Sequence, residues 1–124
     1  MDVKDLMREA FVIDKDAGLK EAARIMASKN IGCLLMVSGK KIKGIITERD
    51  LLKNFNKDIK VSQIMTKSVV SISPNAEISE AIRLMNSKRI KRLPVVDKDE
   101  LVGIITATDL LANADEFDED FFFE

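Results

Sequence analysis

Histidine, tryptophan and tyrosine are absent from the 124 residues, and cysteine occurs once, at Cys33. Without histidine the chain lacks the commonest general base and the commonest metal ligand. A single cysteine excludes an internal disulfide and a cysteine metal cage. No nucleophile–base pair can be assembled from what remains, and no metal-ligand spacing is present, so we expect a protein that is not an enzyme and carries no metal or cofactor. Base stacking on single-stranded nucleic acid uses aromatic platforms set among basic residues. With no Tyr or Trp and no such basic cluster, a nucleic-acid partner is disfavoured. No apolar run approaches the roughly 18 residues of a transmembrane helix and no signal-peptide pattern opens the chain, so we expect a soluble cytoplasmic protein.

The charge is nearly balanced, at −1, but unevenly spread. Residues 114–124 hold six acids and no base, which leaves 20 basic against 15 acidic residues in the body, a net of +5. A mildly basic body suits an anionic small molecule. The tail, ADEFDEDFFFE, alternates acid with Phe and is read as disordered.

What the chain has in place of variety is repetition. GIITERDLL at 44–52 returns as GIITATDLL at 103–111. At an offset of 59, Phe11–Asn54 aligns without a gap on Val70–Asn113, with 19 identities in 44 positions. Upstream, Val3-x-x-Leu6-Met7 matches Val61-x-x-Ile64-Met65 at an offset of 58. Two copies are too few for an open solenoid and imply a closed pseudo-symmetric pair. We divide the chain into a first repeat at 3–54, a linker at 55–60, a second repeat at 61–113 and the tail. Each repeat alone is small for a stable core, so the two are expected to share one.

Within a repeat, Leu19, Ala22, Ala23, Ile25 and Met26, and likewise Ile78, Ala81, Ile82, Leu84 and Met85, fall at helical spacing. Ile31–Val37 and Ile90–Val96 read as buried strands, followed by turns of hairpin length at 38–41 and 97–100. Ile42–Thr47 and Leu101–Thr106 read as second strands, each running into a short helix. The expected class is α/β: two pseudo-symmetric β-α-β-β-α repeats packed through their sheets.

Thr47-x-x-Asp50 and Thr106-x-x-Asp109 admit two readings. In the first they are capping boxes, Thr accepting from the helix backbone and Asp reaching back to the Thr amide. In the second, free helix amides and the Thr hydroxyl meet phosphate while the Asp accepts from two ribose hydroxyls. Gly44 and Gly103 can admit a ligand close to the strand, or mark a bulge. Spacing does not choose between these readings.

The whole repeat resembles the cystathionine beta-synthase (CBS) domain family in its tandem form, the Bateman module. The resemblance rests on the two GIIT-x-x-DLL phrases, on Arg92-Leu93-Pro94-Val95-Val96-Asp97, and on Ser71-Ile72-Ser73-Pro74. Repeat 1 departs from it, with Asp14-Lys15 for Ser-Pro and Cys33-Leu34-Leu35 for Arg-Leu-Pro. The resemblance implies a non-enzymatic regulatory module that binds AMP, ADP, ATP, S-adenosylmethionine or a dinucleotide in clefts between its repeats, and that forms a homodimer. It assigns Thr47 and Asp50, with Ser73, Ile78, Ile90, Lys91 and Arg92, to one ligand. Thr106, Thr108 and Asp109, with Asp14, Leu19, Ile31 and Gly32, go to the other. The resemblance also implies a regulated partner protein, and no membrane partner.

Overall fold

The computed structural model describes residues 1–113, so the tail expected to be disordered lies outside the described residues. Element order is α1 (Val3–Leu6), β1 (Val12–Ile13), α2 (Leu19–Lys29), β2 (Cys33–Ser38), β3 (Lys41–Thr47) and α3 (Glu48–Lys53). A 3₁₀ turn (Val61–Gln63) then leads to α4 (Ile78–Lys88), β4 (Arg92–Asp97), β5 (Glu100–Thr106) and α5 (Ala107–Ala112). The class is α/β, and the helix–strand–strand–helix order recurs as the sequence implies.

Both first strands start two residues later than the apolar runs suggest. Helices α2 and α4 close on left-handed residues, Asn30 (φ 53°) and Arg89 (φ 55°). The next amides, of Ile31 and Ile90, donate back to Met26 and Met85 carbonyls at 3.0 Å each. This closure uses the residues that would otherwise open the strand.

The sheets differ by one proline. In the first repeat β1 pairs parallel to β2, and β2 antiparallel to β3. Leu35 N donates to Phe11 O (3.2 Å) to start the parallel ladder. The matching position in the second repeat is Pro94, which has no N–H to give. There the parallel pairing shrinks to a single bridge, Ile72 to Val95, beside the antiparallel β4–β5 pair.

The compact units are not the sequence repeats. Among the described residues, one unit combines Met1–Glu9 with the chain from Val70 to Asn113, and the other is Ala10–Val69. Each repeat's lead-in segment therefore packs on the body of the other repeat. Val3 is fully buried with Ile72, Ile78, Ala81, Met85, Leu93 and Ile105, whereas Val61 is fully buried with Ile13, Ala17, Leu19, Met26, Leu34 and Ile46. Burying each valine contributes roughly 1.5–3 kcal/mol as an upper figure. Backbone bonds fix the same placement twice: Val3 N to Ala76 O (2.8 Å) and Ile78 N to Met1 O (3.1 Å), against Val61 N to Ala17 O (2.9 Å) and Leu19 N to Ile59 O (2.8 Å).

One side chain adds to the second of these attachments. Asp16 Oδ2 accepts from Ser62 Oγ (2.6 Å) and its Oδ1 from Ser62 N (3.0 Å). The hydroxyl bond first, then the amide bond, with a smaller help from the Lys60 charge against the cost of burial, hold its pKa below the usual 3.8. A lowered folded pKa gives stability that is present above the unfolded value and lost as pH falls through the folded one. We expect wild type to exceed Asp16→Asn in stability by a constant margin above about pH 5, and the margin to shrink progressively below pH 4. Urea unfolding of both proteins between pH 2.5 and 7 checks this; a margin independent of pH would contradict it.

Candidate functional site

Strands β3 and β5 each end at the motif threonine and turn directly into a six-residue helix, α3 or α5. The capping reading holds in both. Asp50 Oδ2 accepts from Thr47 N (2.9 Å) and Thr47 Oγ1 (3.2 Å), and Asp109 Oδ2 accepts from Thr106 N (3.0 Å) and Thr106 Oγ1 (2.8 Å). Asp109 N returns a bond to Thr106 Oγ1 at 3.2 Å. Neighbouring amides are also engaged: Glu48 N donates to Gly32 O (3.1 Å) and Ala107 N to Lys91 O (2.8 Å). These bonds take the motif threonine amide and the first amide of each short helix, which leaves fewer first-turn amides for an anion.

The two carboxylates then part company. Asp50 is half-buried, and its Oδ1 makes no hydrogen bond or ion pair among the described residues. Asp109 is buried, and its Oδ1 receives the Nε of Arg8 at 2.8 Å. Arg8 was not among the candidates from sequence. The signal was available, since the offset of 58 pairs Arg8 with Thr66, a cation with a neutral side chain. What the sequence lacks is the exchange of lead-in segments that carries Arg8 to Asp109.

That exchange also explains the glycines. Arg8 pairs with Ile104 through two 2.8 Å backbone bonds, and Thr66 pairs with Ile45 through bonds of 2.9 and 3.0 Å. A Cβ on Gly103 would lie 2.9 Å from Arg8 O and 3.0 Å from Met7 Sδ. A Cβ on Gly44 would meet the Met65 side chain, with Cγ at 2.7 Å, and Thr66 O at 3.1 Å. The ligand-approach reading of these glycines is thus replaced: the chain's own lead-in segment occupies the space. The bulge reading holds as well, because each hairpin shifts register beside its glycine, at Met36/Val37 and Val95/Val96.

Arg92 lies directly across from Thr106, and Cys33, which is buried, lies across from Thr47. Leu19 and Ile78 are core residues, and their amides are bonded to Ile59 and Met1 carbonyls. Ser73 Oγ is exposed and accepts from Asn75 N (3.2 Å). Asp14, Lys91 and Thr108 are exposed, and Ile90 packs at the margin of its core. Ile31 and Gly32 line a concavity of about 330 Å³ with Met26, Glu48 and Leu51, between α2 and α3; Thr47 and Asp50 are not part of that lining.

A CBS domain model matches residues 3–57 and again 61–116. The chain belongs to the CBS domain family. Among its relatives, the CBS domain-containing protein YhcV of Bacillus subtilis is 33% identical over 90% of this chain and 84% of its own length. Inosine-5'-monophosphate dehydrogenase of Thermoplasma acidophilum is 36% identical over 86% of this chain, which spans only 22% of the enzyme. The solved CBS domain pair of protein MJ0100, in complex with 5'-methylthioadenosine and S-adenosyl-L-methionine, has a TM-score of 0.85 at 29% identity. The match covers 94% of this chain and 97% of that one.

The CBS lead-in contact predicts unequal tolerance at its two glycines. Gly103→Ala drives a methyl against a backbone carbonyl and should destabilise by about 1–3 kcal/mol. Gly44→Ala mainly displaces the flexible Met65 thioether and should cost less. Urea unfolding of the two variants measures the difference; equal losses, or none at Gly103, would refute the packing argument.

Proposed function

We propose that this chain is a regulatory ligand-sensing module. It binds adenosine-containing compounds, such as AMP, ADP, ATP or S-adenosylmethionine, through its Thr-x-x-Asp phrases, and it performs no chemistry on them. The observation that carries the reading is the state of Asp50. Thr47 fixes one carboxylate oxygen and leaves the other with its lone pairs unclaimed among the described residues. An oriented, half-buried carboxylate is a strong acceptor for a vicinal diol such as that of ribose. The MJ0100 relative, solved with two adenosyl compounds, supports the same ligand class. Ser73, Ile78, Ile90, Lys91 and Arg92, together with Asp14, Leu19, Ile31, Gly32 and Thr108, complete the proposed contacts as the family resemblance assigns them. For Leu19 and Ile78, core burial leaves only the edge of each residue to offer.

The module is proposed to act on a partner protein, as a homodimer. Leu52 and Leu111 occupy equivalent positions on the two short helices and are 76% and 70% exposed, with Phe55 at 79%. Large apolar side chains left in water at repeated positions suit an association face. A second reading, a purely structural or interaction module, is favoured at the second motif by the Arg8–Asp109 pair, which completes that cap without a ligand.

A thermal-shift series with AMP, ADP, ATP, S-adenosylmethionine and their guanosine counterparts decides between the readings. An adenosine ligand at 100 times its dissociation constant should stabilise the fold by roughly 2.7 kcal/mol, with a smaller shift from the guanosine analogue. No shift with any adenosine ligand at millimolar concentration would leave the structural reading standing.

A further inference from the structure

In both Thr-x-x-Asp phrases the Asp accepts from the Thr amide and hydroxyl, yet only Asp109 is also met by an arginine side chain among the described residues. Arg8 lies on the lead-in segment that crosses Gly103, and its Nε meets Asp109 Oδ1 at 2.8 Å. Thr66 lies at the matching point of the other segment, on the same antiparallel bridge to the equivalent isoleucine, and brings no charge to Asp50. Asp109 thus has both oxygens engaged, Oδ2 by Thr106 and Oδ1 by Arg8, whereas Asp50 has one. We propose that Arg8 is a built-in competitor for the second ligand site. It occupies the acceptor that a ribose diol would use, so that the Asp50 site fills first and the Asp109 site fills only as the guanidinium swings away. This inference rests on the adenosine-ligand reading above and adds the order of filling and the residue that sets it.

The contact is suited to being displaced. The Arg8 side chain is 65% exposed while that of Asp109 is 10% exposed. A half-solvated ion pair of this kind is worth little more than the side-chain entropy it costs, so a ligand can break it. The carboxylate cannot move away in its place, because Thr106 holds it to the helix start. Arg8 itself stays near the site after release, since its backbone remains bonded to Ile104.

The test isolates each site and moves the cation between them. The probe is 5'-methylthioadenosine, which keeps the ribose diol and carries no phosphate for an arginine to attract. In the Asp50→Asn background, which leaves Asp109 as the intact motif, Arg8→Gln should tighten binding by about three- to tenfold in calorimetry. In the Asp109→Asn background, Thr66→Arg should weaken binding at Asp50 by a similar factor. Melting curves without ligand identify any variant that fails to fold, and the two opposite substitutions do not depend on one another. If Arg8→Gln leaves affinity unchanged or lowers it, or Thr66→Arg has no effect, the competitor role is overturned while the ligand reading survives. If wild type binds neither this probe nor AMP, both fall together.

Discussion

The crossing of each lead-in segment over the glycine of a β-hairpin is the constraint on which the rest of the molecule depends. A bare Cα at positions 44 and 103 lets a backbone carbonyl and a methionine thioether come close to the strand. That closeness places Val61 and Val3 in cores built by the opposite repeat, and it sets Thr66 and Arg8 on their bridges. A methyl group at Gly103 would press on the Arg8 carbonyl, and one at Gly44 on the Met65 side chain first and the Thr66 carbonyl next. The strand beyond the glycine runs on to the motif threonine, so the segment that completes the fold also borders the candidate site.

This arrangement gives the Thr-x-x-Asp phrase a structural role in both repeats and leaves Asp50 Oδ1 without a partner among the described residues. One carboxylate oxygen holds the helix start, which removes the side chain's freedom and aims the other oxygen. Orientation of that kind lowers the cost of binding, because the acceptor is already in place when a ligand arrives. Under the proposed function, the same box that caps the helix also prepares Asp50 as a diol acceptor. Capping and binding are competing explanations only where a second partner, such as Arg8, takes the remaining oxygen.

Much of this was legible in the sequence. The ungapped offset of 59 carried the helices, hairpins and short terminal helices from one copy to the other, because identical apolar spacing in equivalent surroundings folds alike. The apolar runs place the strand starts two residues early because Ile31 and Ile90 are apolar, and nothing in their type shows that their amides close the preceding helix. The loss of the parallel ladder at Pro94 follows from a missing N–H, but it becomes visible only once Leu35 is seen to use its own. The exchange of lead-in segments was hidden for a different reason: Val3-x-x-Leu6-Met7 and Val61-x-x-Ile64-Met65 are near copies, and either could pack on either body. Arg8 was missed with it, since its role comes from where the segment docks.

One fold presents two like carboxylates in unlike states, Asp50 open at one oxygen and Asp109 held by an internal cation. A crystal structure of the protein grown with AMP at one equivalent tests it most directly. Ribose hydroxyls are expected on Asp50 Oδ1, with Arg8 still on Asp109 in the same molecule. Ribose bound at Asp109 with Asp50 unoccupied would contradict it.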